Sequence, residues 1–305
     1  MTTQTAAKPH DFDTYWHDVL AELARFPTAP EVQELPLRST DFATAYGVRL
    51  TSLGPYRLYG YLSIPTGDGP FPARYHLPRY GSVTDLVPQG QANGQRREHV
   101  TFAICVRGQR LADQPYAAAF PGQLTDGIDD PATYVYRGIV ADCVRGLQYL
   151  AARPEVDANR IAAIGNDLAL TTAALGPQVT HLVSTPTLLY ATSELAPRTS
   201  AYPLEEINDY LRLHPTRRDA VHNTLSHFDL RWFGSRVSAT TLLMAGADGS
   251  ALDAAALQPL IDDIRGETTV HKAEHSGYRD GRYAEEWLSQ RFGMAEPSLP
   301  PHWQD

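Results

Sequence analysis

Residues 161–175, with the sequence IAAIGNDLALTTAAL, constrain the fold more than any other stretch of the chain. The apolar run 161–164 is typical of a short buried strand, and the run 168–175 is typical of a helix. A glycine and a polar pair connect them, so the stretch predicts a sharp strand–turn–helix elbow. Elbows of this kind present a nucleophilic serine in the pattern Gly-x-Ser-x-Gly. Residues 165–169 read Gly-Asn-Asp-Leu-Ala instead, so Asp167 occupies the position of the serine.

The rest of the chain alternates strand-like runs with helical runs, which predicts an α/β fold with a mainly parallel central sheet flanked by helices. The early runs between residues 31 and 78 predict a partly antiparallel beginning of the sheet. Later strands are expected at 101–106, 181–186, 239–248 and 267–275, and helices at 11–26, 129–154, 253–264 and 281–293. We expect Asp130 to cap the long helix. The polar, glycine-bearing stretch 82–99 predicts a loop.

The length and composition favour a single domain over residues 1–305. A chain of 305 residues that is 43% hydrophobic and 20% charged can bury a sizeable core. No internal repeat or low-complexity linker divides it. Residues 1–10 are expected to form a loose tail. The polar stretch 187–236 is predicted to be a small helical insertion covering a site.

Charge and hydropathy exclude two classes of partner. The formal net charge is −9 and no basic block occurs, so we expect no nucleic-acid partner. No apolar run is long enough to span a bilayer, and the N-terminus lacks the apolar segment of a signal peptide. The two cysteines, Cys105 and Cys143, are interpreted as core thiols. These features favour a cytoplasmic protein that acts on a small molecule.

Several motifs in a fixed order carry a family resemblance. They are FDTYW at 12–16, VRGQ at 106–109, the run 134–161 before the elbow, YPLEEINDYLR at 202–212 and TLSHFD at 224–229. Together they resemble the acetyl xylan esterase and cephalosporin C deacetylase family of α/β-hydrolases. The resemblance implies an α/β-hydrolase fold, removal of acetyl groups by a Ser–Asp–His triad and a homo-oligomer; a requirement for a partner subunit stays open.

Placed on this sequence, the resemblance puts the triad acid at Asp248, the base at His275 and the nucleophile at Asp167. The oxyanion hole of the family uses backbone N–H groups of the residue after the serine, here Leu168, and of the tyrosine in a His-Gly-Tyr turn. That turn corresponds to residues 78–80, Pro-Arg-Tyr, so only Tyr80 is retained. The departures lie at the reacting atoms, and acetyl ester hydrolysis is therefore not expected.

Asp167 admits three interpretations. It is a helix-capping residue in a decayed, non-catalytic protein. Alternatively, an ionised carboxylate, favoured by the positive end of the helix dipole, attacks a saturated carbon and forms an alkyl ester. This arrangement is known from haloalkane dehalogenases and epoxide hydrolases. In the third interpretation Asp167 accepts a proton from a nucleophile within the substrate.

The remaining site residues also have alternatives. His275 follows the last predicted strand and suits a catalytic base. With His271 it has metal-ligand spacing, but no third ligand lies nearby, so no metal or cofactor is expected. Asp248 either orients His275 or belongs to a strand-end turn. Arg79 either binds an anionic group of the substrate or is solvated.

These considerations predict an enzyme with an Asp167–His275–Asp248 site. Its reaction is displacement at an activated saturated carbon, in a biosynthetic context, and ring closure with Asp167 as base is preferred. Hydrolytic displacement through an alkyl–Asp167 ester and a non-catalytic esterase-like subunit are the alternatives. Arg79, Tyr80 and Leu168 are expected to bind the substrate or a developing oxyanion.

Overall fold

The computed structural model describes residues 7–81, 88, 93–112, 118–274, 277–300 and 303. Its strands are β1 (Glu31–Glu34), β2 (Ala43–Thr51), β3 (Arg57–Pro65), β4 (Phe71–His76), β5 (Val100–Cys105), β6 (Val156–Gly165), β7 (His181–Ser184), β8 (Thr240–Ala245) and β9 (Thr268–Lys272). Its helices are α1 (Phe12–Ala24), α2 (Gly94–Glu98), α3 (Val135–Ala151), α4 (Asp167–Leu175), α5 (Thr192–Leu195), α6 (Glu205–Leu213), α7 (Arg218–Ser226), α8 (Gln258–Asp263) and α9 (Gly277–Arg291).

The nine described strands form one sheet in the order β1-β2-β3-β5-β4-β6-β7-β8-β9. The pairs from β1 to β3, and the pair β3–β5, are antiparallel. Every pair from β5 through β9 is parallel. The predicted sheet, antiparallel at its beginning and parallel afterwards, is confirmed.

Both faces of the inner parallel strands are buried, which explains their apolar runs, whereas the edge strand β9 is partly exposed. Successive residues point to opposite faces. On β6, Ile161 packs into the larger core formed with α1, α3 and α4, whereas Ala162 packs into a smaller core under α9. On β8, Leu243 packs into the larger core and Leu242 packs into the smaller one. The sheet is therefore sandwiched between two helical layers.

Most of the predicted elements are present, with shifted boundaries. The predicted apolar stripe of α3, from Tyr136 to Leu150, is buried. The expected N-cap is wrong: α3 begins at Val135, and Asp130 accepts a hydrogen bond from the Ala132 N–H in the preceding turn. Within the predicted loop 82–99, residues 94–98 form α2, while 82–87 and 89–92 lie outside the described residues.

Two further expectations can be compared with the structure. Cys105 and Cys143 are buried and free, as expected of core thiols. The stretch 187–236 contains α5, α6, α7 and several single 3₁₀ turns. Among the described residues, the longest helices are too short or too polar to cross a membrane.

The sheet topology fixes where a site can form. The carboxyl ends of β4, β6, β7 and β8 meet at one edge of the sheet, because the four strands are parallel neighbours. Ligands of open parallel sheets bind outside this edge. The turn at 78–80, the elbow at 165–169 and Asp248 all follow strands that end there.

Buried histidines predict acid sensitivity. Burial lowers the pKa of His76 and of His181 to about 4, and that of His99 to about 2. These side chains are neutral in the folded protein, whereas the unfolded chain protonates them near their ordinary pKa of about 6.5. Below about pH 6.5 the unfolded state therefore binds more protons than the folded state. The contribution of these histidines to the free energy of unfolding is fully present above that pH and is lost as the pH falls toward their folded-state pKa values.

We therefore expect urea denaturation to show a falling free energy of unfolding from about pH 7 to about pH 5, above the range in which ordinary carboxylates titrate. His181→Gln should flatten this slope, because it removes one of the three groups. A slope that is absent in the parent, or unchanged in the variant, would contradict the assignment.

Candidate functional site

The elbow between β6 and α4 places Asp167 at the carboxyl edge of the sheet. Gly165 has a φ of +157° and approaches Leu77, whose Cβ and O atoms would lie 3.2 Å from an added Cβ. The described non-glycine residues with positive φ do not include Asp167. The unusual backbone angle therefore lies two residues before the aspartate, and Asp167 opens α4 without the strain of a nucleophile elbow.

The Asp167 carboxylate is held by the loop that follows β7. Oδ1 accepts hydrogen bonds from the backbone N–H groups of Thr187 at 2.8 Å and of Leu189 at 3.3 Å. The Leu188 N–H lies 3.2 Å from Oδ1 and 3.0 Å from Oδ2. The Thr187 hydroxyl donates to Oδ2 at 2.5 Å. We call these donors the 187–189 cradle; they fix the rotamer of a side chain that is only 5% exposed.

A cavity of about 260 Å³ lies in front of this carboxylate. We call it the elbow pocket; it is lined by Pro78, Arg79, Tyr80, Tyr136, Asn166, Asp167, Leu168, Thr187, Leu188 and Pro203. Four of the six site residues expected from the sequence thus surround one cavity. Which of them act in a reaction stays a prediction.

The other two expected residues are not seen in this pocket. Asp248 follows β8, its side chain is 82% exposed, and it forms an ion pair with Lys272 on β9. His275 lies outside the described residues. The triad-like arrangement of Asp167, His275 and Asp248 stays a prediction. His271, the other half of the considered metal spacing, stacks on Tyr283 and contacts Asp280 Oδ1 at 3.2 Å.

The 78–81 turn is braced from below by the motif at 106–109. The Gln109 amide donates to the backbone oxygens of Arg79 at 3.3 Å and of Gly81 at 3.1 Å. Arg107 is paired with Asp142 at 2.8 Å and accordingly has a structural role. The Arg79 side chain is exposed; Arg79 lines both the elbow pocket and a second cavity of about 560 Å³ beside α9.

Sequence reasoning missed a buried acid next to this pocket. Glu206, on the first turn of α6, is 4% exposed. Its Oε1 accepts a hydrogen bond from the Tyr80 hydroxyl, and its Oε2 accepts one from the Leu124 N–H at 2.9 Å. Burial raises the pKa of the Glu206 carboxyl above its ordinary range, and these two hydrogen bonds offset only part of that effect. Glu206 is therefore suited to exchanging a proton.

Tyr136 lies near both carboxylates. It lines the elbow pocket, and burial, the neighbouring Tyr134 and the nearby Asp167 raise the pKa of its phenol well above the ordinary value, with smaller contributions from Tyr80 and Glu206. Its hydroxyl stays protonated. The pocket thus has one cradled carboxylate, a neutral phenol and a second carboxylate behind Tyr80.

One signal in the sequence could have revealed Glu206. In the stretch 202–212 the buried residues of α6 are Glu206, Ile207, Tyr210 and Leu211, a stripe of helical period. A carboxylate on such a stripe must find polar partners, since an unpaired buried charge is strongly unfavourable. The partner cannot be read from the sequence, because Tyr80 is 126 residues away.

The cradle predicts that Asp167 stabilises the fold. Asp167→Ala leaves the Thr187 and Leu188 N–H groups without their charged acceptor, and we expect a loss of about 3 kcal/mol in the free energy of unfolding, measured with urea. Thr187→Ala, which removes only the hydroxyl donor, should have a smaller effect of about 1 kcal/mol. An Asp167→Ala variant as stable as the parent would show that the cradle contributes nothing.

The chain matches known proteins over most of its length. Residues 2–253 match the family model of the acetyl xylan esterases (AXE1). The acetyl esterase Axe7A of Xylanibacter ruminicola is 26% identical over 251 residues, which are 78% of this chain and 56% of that relative. The chain therefore spans little more than half the length of this curated relative.

Solved structures share the fold. An acetyl xylan esterase from a Paenibacillus species superposes with a TM-score of 0.81 at 24% identity, covering 95% of this chain and 96% of its own. Acetyl xylan esterase 1 from a Thermoanaerobacterium species gives a TM-score of 0.81 at 23% identity, covering 94% and 96%. These likenesses confirm the expected α/β-hydrolase fold. Together with the family match they establish that the chain belongs to the acetyl xylan esterase (AXE1) family of α/β-hydrolases.

Proposed function

We propose that this family member acts on a small molecule in the elbow pocket by displacement at an activated saturated carbon. The preferred reaction is an intramolecular ring closure with loss of an anionic leaving group, and Asp167 is its base. His275 and Asp248 are assigned to the same site as proton relay and orienting acid. Acetyl ester hydrolysis is not its activity.

The observation that carries this proposal is the cradled carboxylate at the position of the family's serine. A carboxylate that attacked an acetyl ester would give a mixed anhydride and not an acyl-serine ester. The strained backbone that exposes a nucleophile is also missing at Asp167. The family scaffold and a cavity at the elbow are present, and they support binding of a small molecule with a different chemistry.

The cradle favours a base over a covalent nucleophile. Both oxygens of Asp167 accept hydrogen bonds from the loop, so a lone pair free for in-line attack on carbon would require the cradle to open. Proton transfer requires no such change. Thr187 lines the pocket and donates to Oδ2, so its hydroxyl can accept a proton from the substrate while passing its own to Asp167.

Arg79 is the candidate residue for binding the leaving group of the substrate. Its exposed side chain stands on the 78–81 turn at the edge of the elbow pocket. A guanidinium in this position attracts a carboxylate, phosphate or halide as negative charge develops on it.

A second candidate is a non-catalytic esterase-like subunit. The observation in its favour is Asp248, which is largely exposed and paired with Lys272 instead of contacting a residue of the elbow pocket. In that case Asp167 serves only to join the elbow to the loop after β7. Asp167-dependent turnover of any substrate would favour the enzyme over the non-catalytic subunit.

The proposal predicts that purified protein releases no acetate from p-nitrophenyl acetate or acetylated xylo-oligosaccharides above a buffer control. Asp167→Ser alone should restore little activity, because the oxyanion turn now reads Pro78-Arg79-Tyr80 and one lost donor lowers the rate about 10²–10³-fold. Acetate release by the parent that disappears in Asp167→Asn would refute the proposal.

Ring closure can be measured with 4-bromobutan-1-ol, which yields tetrahydrofuran and bromide. We expect bromide release by the parent and a loss of about 10²–10⁴-fold in Asp167→Asn, because the base is removed. Thr187→Ser should retain most of the rate and Thr187→Ala should not. Butane-1,4-diol as product would indicate hydrolysis through an alkyl ester, and no bromide release would favour the non-catalytic subunit.

A further inference from the structure

Tyr80 connects the elbow pocket to a buried acid of the insertion. Tyr80 lines the pocket and is 37% exposed, and its hydroxyl donates a hydrogen bond to Glu206 Oε1. Tyr80 therefore borders the cavity and contacts the buried carboxyl group. A proton can be transferred from Glu206 to the cavity through one group, the Tyr80 hydroxyl.

The surroundings of Glu206 favour its protonated form. Within the described part of the chain, Glu206 forms no ion pair with a basic side chain. Its carboxyl group packs on Gly122, where an added Cβ would lie 2.2 Å from the Glu206 Cδ. Gly122 has a φ of +155°, so a side chain there is disfavoured by the backbone as well. Asp167 and Glu206 both lie near the Tyr136 phenol.

The two carboxylates differ in a way that suits opposite roles. Asp167 accepts hydrogen bonds from three backbone N–H groups and one hydroxyl, whereas Glu206 accepts from one N–H and one phenol. Two carboxylates in unlike environments are the usual arrangement of a base and an acid in one site. Asp167 is the base of the proposed reaction, so Glu206 and Tyr80 are the candidates for the general acid.

We propose that Tyr80 and Glu206 form a general-acid relay that protonates an oxygen leaving group. The assignment rests on the proposed displacement and specifies its substrate class: a compound whose C–O bond breaks at the attacked carbon, such as a hydroxy-epoxide. A halide leaves without a proton and gains nothing from such a relay.

The step balances within the pocket. The substrate hydroxyl loses its proton to Asp167 through Thr187 and forms the new C–O bond of the ring. The epoxide C–O bond breaks, and its electron pair stays on the epoxide oxygen. That oxygen takes the proton of the Tyr80 hydroxyl, and Glu206 returns a proton to Tyr80. Solvent then carries the proton gained by Asp167 back to Glu206, and no co-reactant is consumed.

The test compares two leaving groups on matched substrates, 4,5-epoxypentan-1-ol and 4-bromobutan-1-ol. Tyr80→Phe and Glu206→Gln should lower the rate of epoxide ring closure about 10²-fold more than they lower the rate of bromide release. Glu205→Gln, in the adjacent position of α6, is the matched control and should affect neither. A purely structural role for Glu206 would lower both rates together, and that result would overturn the relay.

The pH profile supplies a second readout. The relay requires protonated Glu206, so the rate of epoxide ring closure should fall as the pH rises through the pKa of this group. This alkaline limb of the pH profile should be absent in Glu206→Gln. Tyr136 and Tyr202 are the other titratable groups that interact with Glu206 in the described part of the chain, besides Tyr80. A limb that persists in Glu206→Gln would contradict the assignment.

A titration separates failure of the relay from failure of the proposed function. In protein labelled with ¹³C at the glutamate side-chain carboxyl, the resonance missing in Glu206→Gln identifies Glu206. We expect its titration midpoint above that of an ordinary glutamate, and Tyr80→Phe should raise it further by removing a donor to the carboxylate. If the parent protein converts 4-bromobutan-1-ol but not the epoxide, the relay is wrong and the proposed displacement stands.

If the parent converts neither substrate, the proposed function fails and the titration of Glu206 alone tests the relay. An ordinary titration midpoint would refute Glu206 as its acid, and a raised midpoint that depends on Tyr80 would support it.

Discussion

The structure of the site depends on the bond between the elbow and the loop after β7. Asp167 joins the first turn of α4 to residues 187–189 through three backbone N–H groups and the Thr187 hydroxyl. These contacts set the rotamer of the carboxylate and the position of the loop that begins the helical insertion. They also define one wall of the elbow pocket. A serine has a single short hydroxyl and could not hold several amides in this way.

In the proposed function, the same interaction accounts for a family scaffold that is kept with a different chemistry. Gln109 holds the turn opposite the elbow, and Arg107 is paired with Asp142. The reacting positions differ, because the carboxylate is already engaged on both oxygens and Arg79 stands on the oxyanion turn. We propose proton transfer over acyl transfer because the cavity is lined by a cradled carboxylate and two phenols, one of which bonds a buried acid.

Much of the fold could be predicted from the sequence, because local periodicity determines strands and helices. The apolar runs located the parallel strands, the elbow pattern placed Asp167 after β6, and the family resemblance placed Arg79 and Tyr80 in the turn beside it. The start of α3 was missed, since Asp130 is satisfied within a turn and does not cap the helix. The α2 helix was missed because its residues are polar and follow a glycine-bearing stretch.

The contacts that give the site its chemistry could not be predicted. The Tyr80–Glu206 pair joins residues 126 positions apart, and the Asp248–Lys272 pair depends on how two strand ends are spaced. Burial of Glu206 likewise follows from the way α6 folds back over the turn at Gly122. Periodicity can place a charged residue on a buried face, but its partner is decided by tertiary packing.

The central claim is that Asp167 transfers a proton and forms no bond to carbon. It is tested most directly by many turnovers of substrate in ¹⁸O-water, followed by mass spectrometry of the tryptic peptide 161–198, which contains Asp167. Hydrolysis of an alkyl ester by attack at the carboxyl carbon would place solvent oxygen in the aspartate. The account predicts that the peptide keeps its natural isotope pattern while cyclic product accumulates. Incorporation of ¹⁸O into Asp167 in proportion to turnover would contradict it.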